Sequence, residues 1–213
     1  MAGINKLLMV VALSALASQA SAITIDLVPD RASVPVGGRV TLEIVAADFA
    51  DDEFVSAYDF SLAFEPGLLR FVRGSFVVGS ALGDVADVDY FDFSDFESAD
   101  LGELLPFVVS LLDDAGLAAR QSGPSVVLGS LEFIAGRVAA PTAVTVSPTC
   151  ASVSGPIGEG GNAVLLDIER CGAAQWIIEA VAVRESGTFA LLVAGLLFVG
   201  AGLRDRPRAH AWH

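Results

Sequence analysis

The sequence predicts an all-β domain, a two-sheet sandwich of about nine strands, set between two apolar terminal segments. Three observations carry this expectation. Apolar and polar residues alternate with period two through the middle of the chain, with almost no helical periodicity. Clusters of Gly, Pro, Asp and Ser interrupt that alternation at short intervals. The longest apolar runs of the 213 residues lie at the two ends. A hydrophobic content of 54% therefore describes two tails and a half-buried sheet rather than a chain embedded throughout in lipid.

The first segment, MAGINKLLMVVALSALASQASA, has one basic residue at Lys6, an apolar run from Leu7 to Leu16, and Ala20 and Ala22 in an A-x-A arrangement. That order reads as a secretory signal peptide over 1–22, cleaved after Ala22. Export would place the rest in an oxidising compartment.

From Ile23 the strands follow in order. ITIDLV (Ile23 to Val28) precedes the turn-forming PDRASVPVGG, and in RVTLEIVAA (Arg39 to Ala47) Val40, Leu42, Ile44 and Ala46 share one face. FVSAYDFSLAFEP alternates again and stops at Pro66-Gly67, where Pro66 fixes its own φ and Gly67 is free to take a positive one. LLRFVRGSFVVG then reads as the returning strand. FVVSLLD (Phe107 to Asp113) is strand-like, and DDAGLAARQ predicts one short helical turn capped by Asp113 or Asp114. PSVVLGSLEFIAGR, TAVTVS, AVLLDIE and AQWIIEAVAV complete the count, with SGPIGEGGN (Ser154 to Asn162) as a Gly-rich loop. Trp176 reads as a core residue of the last strand.

Charge and cysteine content narrow the chemistry. With 26 acidic against 12 basic residues, a net charge of -14, the chain lacks the Lys and Arg surplus that a nucleic-acid partner requires. Cys150 and Cys171 are the only cysteines. They form either a disulfide, plausible after export, or two buried thiols; without nearby histidine their spacing suits no zinc site. Histidine occurs only at His210 and His213, so the domain holds no Ser-His-Asp or Cys-His site and no His-based metal centre. A glycosidase would need only two carboxylates, but Glu43, Asp59 and Glu65 fall on the polar phase of alternating strands. No enzymatic activity is expected.

The stretch LGDVADVDYFDFSDFESADLGE, from Leu82 to Glu103, interleaves eight carboxylates with Tyr90, Phe91, Phe93 and Phe96. Three readings stand beside one another. It is a solvated edge whose aromatic residues pack on the core; or a calcium site in which Asp87, Asp89 and Asp92 supply oxygen ligands, although the spacing fits no EF-hand; or a sugar-binding platform presenting Tyr90 and some of the phenylalanines.

Two resemblances rest on these residues. VPVGGRVTLEIVAADF, YDFSLAFEPGLLRF and LGSLEFIAG together resemble cohesin-like domains, over about Ile23 to Val181. The resemblance implies a jelly-roll sandwich over 23–183 that works in adhesion or assembly with a protein partner or an extracellular polysaccharide. A carbohydrate-binding module, with calcium as a possible aid, is the alternative. The C-terminal RESGTFALLVAGLLFVGAGLRDR is similar to the PEP-CTERM sorting signal of exopolysaccharide-producing Gram-negative bacteria. The motif positions would be Arg184, Glu185 and Ser186, so the glutamate matches and both prolines are absent. This implies a sorting segment over 184–213, an exosortase as processing enzyme, and localisation at the cell surface or in the extracellular matrix. Residues 187–203 carry no charge, and a helix of that length, about 25 Å, barely spans a bilayer. Arg204, Arg206 and Arg208, in the basic tail 204–213, would stay on the cytoplasmic side.

Overall fold

The computed structural model describes residues 22–50, 52–157 and 162–180. The signal peptide up to residue 21, the motif Arg184, Glu185 and Ser186, the apolar segment 187–203 and the basic stop Arg204, Arg206 and Arg208 lie outside the described residues. Among the described residues no helix is long and apolar enough to cross a membrane.

The elements run β1 (Ile23–Pro29), β2 (Ser33–Pro35), β3 (Arg39–Ala47), β4 (Ala57–Phe64), β5 (Leu69–Phe71), β6 (Val77–Val78), β7 (Tyr90–Asp92), β8 (Glu103–Leu104), β9 (Phe107–Ser110), α1 (Asp114–Arg120), β10 (Ser125–Ala135), β11 (Thr142–Ile157), β12 (Ala163–Leu165), β13 (Ile168–Gly172) and β14 (Ala174–Glu179). Among the described residues fourteen strands replace the expected nine: β2 and, in the acidic-aromatic stretch, β7 and β8 are additional, and the single strands expected over LLRFVRGSFVVG and AVLLDIE each divide in two. The Gly-rich stretch from Ser154 is strand as far as Ile157, a correction to its reading as loop. The short helix is present, and Asp113 is its cap, its Oδ1 accepting from the Gly116 N–H at 2.8 Å.

Two sheets form the sandwich. The six-stranded sheet has the order β13-β1-β3-β10-β5, with β6 also on β10; the eight-stranded sheet has the order β2-β14-β11-β4-β9-β7, with β12 on β11 and β8 on β4. All pairings are antiparallel except β1 with β13 and β14 with β2. Alternation sends Ile23, Ile25, Leu42, Ile44 and Phe133 inward from one sheet and Tyr58, Phe60, Leu62, Val146 and Trp176 from the other, all at 2% exposure or less. The inner faces interdigitate as in other sandwiches. Phe133 lies at the centre, edge-on to Phe64 at 5.0 Å and 6.3 Å from Trp176. The Trp176 Nε1 is buried without a hydrogen-bond partner.

The expectation of a returning strand after Pro66-Gly67 is corrected. β5 pairs with β10 in the six-stranded sheet, whereas β4 pairs with β11 in the eight-stranded one. The turn therefore carries the chain across the sandwich, closed by the Leu68 and Leu69 N–H groups donating to the Glu65 carbonyl at 3.0 and 2.9 Å. Gly67 is not among the positive-φ residues; the next turn, between β5 and β6, has a positive-φ glycine in Gly74, at φ 78.

Two bulges change the inward phase of long strands. On β10 the register shifts between Val127 and Gly129, so Val126 and Leu128 are buried before it and Leu131, Phe133 and Ala135 after it. On β11 the shift falls between Cys150 and Ser152. Val144 and Val146 point inward before it and Val153 after it. Cys150 lies in the first phase and reaches Cys171 on β13, with the two Cα atoms 6.1 Å apart. The disulfide joins the eight-stranded sheet to the edge of the six-stranded one.

Candidate functional site

The acidic-aromatic stretch folds as a series of short turns along the edge of the eight-stranded sheet, and its own carboxylates build those turns. Asp84 Oδ1 accepts from the Ala86 N–H at 2.9 Å, Asp92 Oδ1 from Ser94 at 2.9 Å and Asp95 Oδ1 from Glu97 at 2.8 Å. Each is a side chain closing a turn over its own backbone two residues on. Glycine is needed twice: Gly83 has φ 133 and Gly102 has φ 88, and a Cβ would collide with the Asp89 side chain at the first and with the Phe64 carbonyl at the second.

Several contacts fix this stretch to the sandwich. Phe96 packs between Phe71 and Phe76, at 5.1 and 5.2 Å. Ser110 Oγ donates to the Leu82 carbonyl at 2.6 Å. Arg73 pairs with Asp100 at 3.3 Å and Arg120 with Asp89 at 3.4 Å. Gln121, 5% exposed, accepts from the Val55 N–H at 2.8 Å and donates to the carbonyls of Val55 and Ala81 at 2.7 and 3.2 Å. A buried amide with every partner supplied costs nothing in unmet hydrogen bonds and holds three segments together.

The candidate calcium ligands of the second reading are held apart in separate interactions. Asp87 lies exposed in a turn of 3₁₀ helix, Asp89 faces Arg120 and the Asp84 N–H, and Asp92 closes its own turn. Among the described residues no group of three or more metal-ligating side chains is assembled. Glu43 and Asp59 lie on the outer faces of different sheets, too far around the molecule to flank one sugar ring. Tyr90 packs against the core, as the solvated-edge reading has it, and does not present its ring outward as the sugar-platform reading would require. Burial, then the carboxylates of Asp92 and Asp84, push its phenol up.

The side chains that do face outward are phenylalanines. Strand pairing sets Phe91 opposite Val109, and the Phe93 N–H donates to the Phe107 carbonyl at 2.8 Å. On the other side of β9, Ala57 lies opposite Val109 and Asp59 opposite Phe107. Because Val108 is buried, Phe107 and Val109 must point out. Phe91, Phe93 and Phe107 are 50%, 57% and 37% exposed, and their rings form a contiguous ladder with centroid spacings of 5.9 and 5.3 Å. Leu111, just beyond β9, is also exposed. Phe107 had no role in the sequence reading; the signal that marks it is its phase relative to Val108 directly after Pro106.

Apart from this ladder, a cleft of about 670 Å³ lies between the β3–β4 connection and α1. Phe49, Phe54, Ala115 and Ala118 line it together with Asp52 and Glu53. Glu53 caps the Ala50 N–H at 3.0 Å, so its carboxylate serves the loop.

The chain superposes on a chain of a type II cohesin-X-dockerin complex from Acetivibrio cellulolyticus with a TM-score of 0.55 and 13% identity, covering 72% of this chain and 98% of that one. The fold is cohesin-like. The second type II cohesin module of the adaptor scaffoldin ScaA of the same organism gives 0.53 at 14% identity, covering 75% and 97%. The seventh ScaB type I cohesin of Pseudobacteroides cellulosolvens gives 0.51 at 15% identity, covering 89% and 99%. At these identities the likeness to cohesins is one of fold. No protein-family model matches the chain, and no curated protein sequence does either.

Proposed function

We propose that the chain is a non-catalytic, exported assembly module that docks a protein partner on the outer face of its eight-stranded sheet. The observation that carries this reading is the contiguous phenylalanine ladder. Three phenylalanines at these exposures leave on the order of 300 Å² of aromatic surface in water, and a clustered patch of that kind marks interaction surfaces far more often than scattered exposed residues do. Cohesin-like architecture supports the same reading, since one of the similar structures is described as a complex between a cohesin and an X-dockerin. The Cys150–Cys171 disulfide supports an oxidising destination. The signal-peptide pattern of 1–22 and the PEP-CTERM-like pattern of 184–213 support export, passage through the inner membrane, processing by an exosortase, and association with exopolysaccharide at the surface of a Gram-negative cell.

The same ladder is the observation that favours a carbohydrate-binding module as a second reading. Its rings are tilted, with interplanar angles of 47° and 35°. They make a knobbed surface suited to interlocking side chains more than a flat plate for a sugar ring. The test is affinity capture from the producing cells with the full chain and its Phe93→Ser variant, run beside a glycan array. A protein retained by wild type and lost with the variant is expected. A glycan signal lost with the variant, and no protein, would move the function to sugar binding.

A further inference from the structure

We propose that the partner presents a positively charged polypeptide segment, with apolar residues that cover the phenylalanine ladder and Lys or Arg that flank them. This rests on the docking reading above and specifies the chemistry of what docks. The ladder is set in a frame of carboxylates. Asp59 lies directly beside Phe107 across β4 and β9. Asp95 continues the outward row of Phe91 and Phe93, bridging to Leu105. Asp92 and Glu97 stand at the sheet edge beside them, both exposed.

None of Asp59, Asp92, Asp95 and Glu97 has an ion-pair partner among the described residues. The two arginines nearest the acidic stretch, Arg73 and Arg120, are committed to Asp100 and Asp89. The sequence between residues 22 and 183 contains no lysine. The outer face of the six-stranded sheet provides the contrast. There Arg39 pairs with Glu132 and Arg170 with Asp26, each at 2.5 Å, so two carboxylates on that face are neutralised from within the chain, and of those on the strands' outer phase Glu43 alone is left without an ion pair among the described residues.

Unpaired like charges packed around an apolar patch repel one another in the free protein, and a cationic partner converts that repulsion into attraction. The same field rejects acidic competitors, which a bare aromatic patch would admit. Covered phenylalanines at the centre and charge pairs at the rim give the usual division of an interface into anchors and steering groups.

The test is selection of peptides from a displayed random library with equal acidic and basic content, against the immobilised full chain. Enriched peptides are then measured on wild type, Phe93→Ser, Phe107→Ser and Asp59→Asn, all substitutions at positions on the outer face. Selected peptides rich in Lys and Arg are expected. Their affinity should fall about tenfold or more with either serine variant, and by roughly tenfold on raising salt from low to about 0.5 M. Peptides that need Phe93 and Phe107 but carry no excess of basic residues, or show no salt dependence, would overturn the charge inference and leave the docking face standing. Peptides indifferent to both serine variants, or no enrichment at all, would overturn the docking face and this inference with it.

Discussion

Tyr58 joins the core to the backbone of the opposite sheet. Its ring stacks on Phe60 at 4.8 Å and its hydroxyl donates to the Leu128 carbonyl at 3.2 Å, beside the β10 bulge. Burial foremost, with Asp92 and Tyr90 adding, pushes its phenol well above the ordinary tyrosine range. The sign follows from linkage. The unfolded chain gives up this proton near pH 10 while the native state keeps it. Stability is therefore unaffected below that pH and falls above it, by up to about 1.4 kcal/mol per pH unit for this one group. Tyr58→Phe should lower stability by about 1 kcal/mol at neutral pH through the lost hydrogen bond and flatten the decline between about pH 10 and 11. Urea unfolding across that range checks both; an unchanged alkaline slope would show that the proton is not held by Tyr58.

At the scale of elements, the alternating pattern revealed which side of a strand faces the core and little about which sheet the strand joins. β3 has the bounds that RVTLEIVAA suggests because one unbroken phase runs through it. β10 and β11 each change phase within their length, and neither Gly129 nor Ala151 announces a bulge without the partner strand. β5 was misplaced for the same reason, since Leu69 and Phe71 are inward in either sheet. The phenylalanine ladder was half legible. Phe91 and Phe93 lie in a stretch conspicuous for its composition, but their exposure, and that of Phe107, depends on the phase of β9. Tyr90 went the opposite way because its neighbour Phe91 took the outward position. The disulfide belongs to this scale too, since it fastens β11 to β13, an edge strand held otherwise by β1. Reduction, or the paired change Cys150→Ser and Cys171→Ser, should cost about 3 kcal/mol and lower Tm by roughly 6–12 °C. Differential scanning calorimetry with and without reductant would read this, and an unchanged Tm would show that the bridge adds no stability.

At the scale of the whole molecule, the proposed export and sorting give a definite mature chain. Intact-mass analysis of protein from the producing cell should find a chain that begins at Ile23 and ends near Glu185. A mass extending to His213 would mean that the C-terminal segment is retained as an anchor, and that Glu185 without its flanking prolines does not permit removal. The parallel pairing of β1 with β13 bears on the order of events during synthesis. The first strand to leave the ribosome gains its second neighbour only when nearly the last strand of the domain is available, so neither local hairpins nor an N-terminal half can finish the sheet early. Folding so dominated by distant pairings is slow, in the millisecond-to-second range typical of sandwiches. A nascent chain with this wiring stays open for long after its first residues emerge, and if it is exported as proposed it would meet a translocation channel in the open form that such a channel can thread.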